Sequence, residues 1–85
     1  MQKGKIAVID DEINILKMIE LSLSARGFQV EIFSNPLDAI KRFTETYFDI
    51  AFIDLKMQPI NGIEVLTELK KISAETTAIM MTARS

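Results

Sequence analysis

The chain has 85 residues, which is enough for one small domain. A net charge of -2 with no cysteine and no histidine argues against a nucleic-acid-binding face, a disulfide framework, a thiolate metal site and histidine-based catalysis. There is no apolar run of membrane-spanning length and no signal peptide at the polar start, so the composition favours a cytoplasmic protein without a membrane partner.

Four short segments predict β-strands. The first is apolar on both faces, as expected for a buried strand, whereas the second is less apolar and is expected at an edge. The four segments are residues 5–10, 29–33, 50–54 and 77–81.

Three intervening segments carry apolar residues at helical spacing. They are residues 12–26, residues 36 to about 47, and a stretch that begins at Gly62. Gly27 is a suitable helix end, and Asn35 is a suitable helix cap. The side chains expected to form the buried faces of the helices are Ile13, Leu16, Ile19, Leu23, Leu37, Ile40, Phe43, Ile63, Leu66 and Leu69.

The alternation of strand and helix predicts an α/β fold with a doubly wound parallel sheet, whose functional groups collect at the carboxyl ends of the strands. Asp10, Asp11, Asp54 and Thr82 all fall at such ends. Three carboxylates that meet at one edge repel each other and need a cation or a raised pKa. Oxygen ligands alone favour a hard ion such as Mg2+, and a carboxylate beside it can accept a phosphoryl group. Taken alone, Asp10 and Asp11 could also be a helix-capping pair.

Four motifs in chain order make the sequence similar to the receiver domain of bacterial two-component response regulators. The resemblance covers essentially the whole chain, and the last two motifs are most similar to the N-terminal receivers of alternative-sigma-factor activators. The motifs are Val8-Ile9-Asp10-Asp11-Glu12, Phe52-Ile53-Asp54-Leu55-Lys56-Met57, Asn61-Gly62-Ile63-Glu64 and Met80-Met81-Thr82-Ala83.

The resemblance implies a role for each residue of the acid set. Asp54 would be the phosphoacceptor, and its phosphoryl group would come from a histidine kinase. Asp10, Asp11, Asp54 and the main-chain carbonyl of Lys56 would hold Mg2+, with Asp11 the more direct ligand and Asp10 acting largely through water. Thr82 would be the switch hydroxyl that bonds a phosphoryl oxygen after transfer. The chain would then be a signalling switch and not an enzyme.

The chain departs from the family pattern in two places. Gln58 stands where the family usually has proline, which here comes one residue later at Pro59, so we expect an altered loop with the site retained. The family continues with a helix, a fifth strand that carries a lysine, and a last helix. We therefore expect residues 1–85 to be a truncated receiver domain of the flavodoxin-like type, with strand order 2-1-3-4, an exposed fourth strand and a tendency to self-associate or exchange elements. The output domain, and any DNA binding, would lie elsewhere.

Two other functions are consistent with parts of the sequence. A phosphatase of the dehalogenase type also uses a strand-end aspartate with Mg2+, but it typically needs a second acid two positions later, where this chain has Lys56. A pseudo-receiver would keep the fold without phosphotransfer. The intact acid set argues against that alternative, and the unassigned lysine leaves it open.

Overall fold

The structure is a computed structural model that describes residues 3–81. Strands and helices alternate along these residues. The strands are β1 (Lys5–Ile9), β2 (Gln29–Phe33), β3 (Ile50–Asp54) and β4 (Thr77–Met81). The helices are α1 (Ile13–Ala25), α2 (Pro36–Phe43) and α3 (Gly62–Ile72).

The four strands form one parallel sheet in the order β2-β1-β3-β4. This is the predicted order, and the predicted edge position of β2 is confirmed as well. In the register, Ile9 lies beside Phe33 on one side and beside Ile53 on the other. The residues that follow β1 therefore emerge next to the last residue of β3.

The sheet is covered by helices on both faces. On one face, α2 and α3 pack over a core centred on Ile9, Phe48 and Ile53, each of which is fully buried. On the other face, α1 packs Leu16 against Ile6 and Val8. Strands that are consecutive in the chain are thus joined through a helix, as a doubly wound sheet requires.

Side-chain caps determine where α2 and α3 begin. The Asn35 side chain accepts a hydrogen bond from the Leu37 N–H at 2.9 Å, as predicted for a cap. Asn61 and Glu64 form a reciprocal capping box, in which each side chain accepts the other's backbone N–H, at 2.9 and 2.8 Å. The Asn-x-x-Glu spacing of this box is visible in the sequence, although Glu64 was singled out there only as part of a motif.

The end of α2 also differs from the sequence prediction. It ends at Phe43 and not near residue 47. The Thr44 hydroxyl donates to the Lys41 carbonyl at 2.6 Å, and such a side-chain bond competes with continuation of the helix. By contrast α1 ends as predicted, because Gly27 follows it with a φ of 96°, a left-handed conformation that glycine adopts without a steric penalty.

Three side chains predicted to face the core are exposed instead. Ile13, Leu37 and Ile63 are 49, 49 and 54 % exposed. Each lies in the first turn of its helix, at the carboxyl end of the sheet, where the strands that would cover it have ended. Ala39 and Val65, which the apolar spacing missed, are fully buried in their place.

Candidate acid site at the carboxyl edge of the sheet

Three carboxylates meet where β1 and β3 end. Asp54 is the last residue of β3, and Asp10 and Asp11 directly follow β1. One carboxylate oxygen from each lies within 4.8 Å of the other two. Asp10 is buried, Asp54 is half-buried and Asp11 is exposed, so the cluster runs from the sheet outwards to solvent. The structure thus brings together the three acids that the sequence placed at strand ends.

Asp10 is held in position by backbone hydrogen bonds. Its N–H donates to the Phe33 carbonyl of β2 at 3.1 Å, and its carboxylate accepts the N–H of Glu12 at 2.9 Å. Glu12 is the residue before α1 and offers no side-chain cap of its own. The capping interpretation of Asp10 is therefore correct in part, since one carboxylate oxygen bonds the helix start while an oxygen also faces the other two acids.

The surroundings of Asp10 oppose its negative charge. Burial raises the pKa of Asp10 above its ordinary value, the Glu12 N–H partly offsets this, and the neighbouring charges of Asp54 and Asp11 raise it further. A positive ion among the three acids would reverse the effect of the neighbouring charges. The arrangement is a common one for a cation site, in which like charges are brought close at the expense of stability.

The backbone around Asp54 is tightly packed. The N–H of Leu55, the next residue, donates to the Met81 carbonyl at 3.2 Å, and its carbonyl accepts the Gly62 N–H at 2.9 Å. A Cβ at position 62 would lie 2.2 Å from the Asp54 carbonyl oxygen, so only glycine fits there. Sequence analysis identified Gly62 only as a motif residue and a helix start and missed this contact.

The acid cluster opens into a cleft of about 680 Å³ between the end of β1 and the loop that joins β3 to α3. Lys56 and Gln58 line it, so the loop in which proline is displaced to position 59 still borders the site. The complete lining is Asp11, Leu55, Lys56, Met57, Gln58, Asn61 and Ile63. Thr82, the predicted switch hydroxyl, lies outside the described residues; it follows Met81, which pairs with Asp54 across the sheet.

Comparison with known families decides what kind of domain this is. A sequence profile of the response regulator receiver domain matches residues 6–85. The chain belongs to the response regulator receiver domain family. The resemblance inferred from the four motifs is therefore confirmed, and receiver domains act as phosphoryl-accepting switches that histidine kinases phosphorylate.

Two curated relatives of this receiver domain are transcriptional regulatory proteins. The CpxR homolog of Haemophilus influenzae is 35% identical over 81 residues, which are 95% of this chain and 35% of that protein. ZraR of Klebsiella oxytoca is 32% identical over 80 residues, which are 94% of this chain and 18% of that protein. The chain thus spans about a third or less of the length of these relatives.

A solved receiver structure supports the same conclusion. The response regulator TrrA of Thermotoga maritima, crystallised in complex with Mg2+-BeF, superposes with a TM-score of 0.88 at 32% identity and covers 100% of this chain and 72% of its own. Among residues 3–81 of the present receiver, no helix is long and apolar enough to cross a membrane.

The donor set of this receiver fits Mg2+. It consists of carboxylate oxygens within 4.8 Å of one another, with no nitrogen or sulfur ligand in the cluster. Hard divalent cations bind such oxygens, and one or two carboxylates with water and phosphate oxygens complete the usual coordination of Mg2+.

Proposed function

We propose that this receiver accepts a phosphoryl group from a histidine kinase on Asp54, with Mg2+ held by Asp10, Asp11, Asp54 and the main-chain carbonyl of Lys56. The observation that carries the proposal is the convergence of three carboxylate oxygens within 4.8 Å at the end of β3 and β1. The cleft beside Asp11 and Lys56 is open enough for a partner's side chain to approach. In this arrangement Asp11 is the more direct metal ligand and Asp10 acts largely through water.

The transfer needs little chemistry from the protein beyond positioning. An oxygen of Asp54 forms the new bond to phosphorus as the phosphorus–nitrogen bond of the phosphohistidine breaks, and the histidine nitrogen keeps the electron pair. Mg2+, when bound, neutralises the acid cluster and the phosphoryl oxygens. Asp54 is kept in place by the close approach of Gly62 to its carbonyl, which leaves the carboxylate at the sheet edge. The Thr82 hydroxyl then bonds a phosphoryl oxygen and couples transfer to a change of surface.

The phosphorylated domain regulates transcription through an output domain outside these residues. This part of the proposal is supported by the names of the CpxR homolog and ZraR, of which the chain spans only a part. We further propose that this receiver belongs to a cytoplasmic protein of the kind that activates alternative-sigma-factor promoters, and that the receiver itself makes no direct contact with nucleic acid. The absence of enzymatic activity stays a prediction.

The phosphotransfer proposal is tested with acetyl phosphate as the donor. The chain is incubated with and without Mg2+, and its intact mass is measured. We expect a Mg2+-dependent gain of one phosphoryl group that is lost in Asp54→Asn. Asp38→Asn, which removes an exposed acid from the first turn of α2, is the matched control and should be labelled like the unmodified chain. Labelling that persists in Asp54→Asn would refute the assignment of the phosphoacceptor.

A further inference from the structure

The loop between β3 and α3 is held at three places. Leu55 uses both of its backbone polar groups, since its N–H donates to the Met81 carbonyl at 3.2 Å and its carbonyl accepts the Gly62 N–H at 2.9 Å. The Met57 side chain is buried in the core that α2 and α3 cover. The third place is the start of α3, at Asn61. The exposed loop residues between these places depend on them for a defined position.

The capping box fixes the start of α3 through two reciprocal hydrogen bonds. The Asn61 side chain accepts the Glu64 N–H at 2.9 Å, and the Glu64 carboxylate accepts the Asn61 N–H at 2.8 Å. Both bonds are exposed, and Asn61 also lines the acid cleft. Because Gly62 directly follows Asn61, the box sets the direction of the Gly62 N–H and with it the hydrogen bond to Leu55.

Leu55 lies between two groups of the proposed Mg2+ site. Asp54 precedes it, and the main-chain carbonyl of Lys56 follows it. Gly62 packs closely against this stretch, since a Cβ there would lie 2.2 Å from the Asp54 carbonyl oxygen and 2.9 Å from the Leu55 Cα. A shift of Gly62 would therefore move the backbone that carries both groups.

We propose that the capping box of Asn61 and Glu64 positions the Mg2+ site, although neither side chain binds the ion. The box holds the start of α3 against Leu55, so that the proposed ligands on either side of Leu55 keep their relative positions. The inference rests on the proposed function and extends it to residues outside the acid cluster. A cap that served only the helix would stabilise the fold without affecting the affinity for Mg2+.

The cap of α2 offers a matched control. Asn35 is the same residue type as Asn61, and its side chain accepts the Leu37 N–H at 2.9 Å in the same way. Both asparagines are exposed, but among residues 3–81 the lining of the acid cleft includes Asn61 and not Asn35. Asn61→Ala and Asn35→Ala each remove one side-chain cap and should lower Tm by a similar amount, about 4–8 °C.

Titration of the two variants with Mg2+ separates positioning from stability. Loss of a cap typically shifts an equilibrium by about fivefold. A site that is formed for a smaller fraction of the time binds its ion more weakly in proportion, so we expect the Kd for Mg2+ to rise at least about threefold in Asn61→Ala. In Asn35→Ala the Kd should stay unchanged. Both titrations are made well below the Tm of either variant.

Two substitutions of Glu64 separate its hydrogen bond from its charge. Glu64→Gln keeps an oxygen that can accept the Asn61 N–H and removes the negative charge, whereas Glu64→Ala removes both. We expect Glu64→Gln to bind Mg2+ like the unmodified chain and Glu64→Ala to bind it at least about threefold more weakly. Equal weakening in the two variants would mean that the charge of Glu64 attracts the ion, which would overturn positioning by the box.

A measurement without metal completes the test. In chelator, the NMR order parameter of the Lys56 amide reports how rigidly the loop is held, and we expect it to fall below the value of about 0.85 for rigid backbone in Asn61→Ala but not in Asn35→Ala. Equal Mg2+ affinity or equal order parameters in these two variants would overturn the inference. If the unmodified chain still binds Mg2+ and is labelled by acetyl phosphate, the proposed function stands without it. An unmodified chain that binds no Mg2+ would overturn both.

Discussion

The two ends of the sheet treat their charged residues in opposite ways. Towards the amino end, the carboxylate of Glu31, in the middle of β2, accepts hydrogen bonds from Arg42 at 2.8 and 3.0 Å and lies 3.3 Å from the ammonium of Lys5, the first residue of β1. The exposed Asp49 carboxylate accepts the Lys5 N–H at 2.8 Å, so this acid is also partnered. At the carboxyl end, three acids face one another and none of the ion pairs found among residues 3–81 includes them.

The pKa values of the acids are shifted in opposite directions in the two regions. The hydrogen bonds of Arg42 hold the pKa of Glu31 below its ordinary value, whereas burial and the neighbouring acids raise that of Asp10. Ionised Glu31 therefore stabilises the fold, and ionised Asp10 opposes it. The amino end is arranged for stability, whereas the carboxyl end gives up some stability by bringing three acids together, as the proposed cation and phosphoryl site requires.

The largest expected difference between the two ends is in how much a glycine-to-alanine substitution lowers the free energy of unfolding. Gly62→Ala would put a Cβ 2.2 Å from the Asp54 carbonyl oxygen, and we expect it to lower the free energy of unfolding by about 3 kcal/mol. Gly27→Ala at the amino end meets no atom of residues 3–81 closer than 3.7 Å and should lower it by only about 1 kcal/mol, through its left-handed φ. Urea unfolding of both variants measures the contrast, and equal losses would show that the carboxyl end is no more tightly packed.

Mg2+ should offset part of the stability that the three neighbouring acids cost at the carboxyl end. A ligand that binds only the folded state adds about 2.7 kcal/mol to stability at one hundred times its Kd. We expect the Tm of thermal unfolding to rise when Mg2+ is added and to fall back when a chelator removes the ion. Most of this rise in Tm should be lost in Asp11→Asn. Asp38→Asn is the control and should keep the full rise. An equal response of Asp11→Asn and Asp38→Asn would exclude the acid cluster as the binding site.

Neutralising Asp10 should stabilise the metal-free chain. The pKa of Asp10 is raised above its ordinary 3.8, so the contribution of this group to stability is fully present below that pH and is lost as the pH rises through the folded value. Asp10→Asn is therefore expected to raise Tm by a few degrees at neutral pH in chelator. The gain should disappear below about pH 3.8, where the carboxyl is protonated in both states. A lower Tm at neutral pH would show that the hydrogen bond to Glu12 dominates.

Neutralising Glu31 should lower Tm, and by less than neutralising Asp10 raises it. Its pKa is lowered from 4.5, so its contribution is present above that pH and is lost as the pH falls through the folded value. Glu31→Gln is expected to lower Tm slightly at neutral pH and to match the unmodified chain in strong acid. Glu68→Gln is the control, since within residues 3–81 Glu68 pairs only with Lys71, at 3.3 Å and with both side chains exposed, and should change Tm less. A Glu31→Gln chain as stable as Glu68→Gln would remove the contrast between the ends.

Strand order and the meeting of the acids could be predicted because each depends on chain-wide regularities. Alternating apolar segments determine a parallel sheet, and its strand ends determine where Asp10, Asp11 and Asp54 emerge. Apolar spacing was less reliable at helix starts. Ile13 and Leu37 follow the apolar spacing, but they lie past the end of the sheet and are exposed. The spacing of apolar residues in a helix does not indicate where the neighbouring strand ends.

Contacts between backbone segments could not be predicted from residue patterns. The approach of Gly62 to Asp54 depends on the three-dimensional course of the β3–α3 loop, and the hydrogen bonds of Glu31 depend on a neighbour 11 residues away on another element. The capping box of Asn61 and Glu64 is different, because its spacing is local and was available in the sequence.

Among residues 3–81, the hydrogen bond from Leu55 to Met81 is the last one between β3 and β4, and it joins the residue after Asp54, the proposed phosphoacceptor, to the residue before Thr82. A hydrogen bond at the end of a strand can open by fraying, without unfolding of the sheet. The rate at which the Leu55 amide proton exchanges with solvent therefore measures how often this hydrogen bond opens. It responds to loosening of β4 from one side and to chemistry at Asp54 from the other, and no added label is required to follow either.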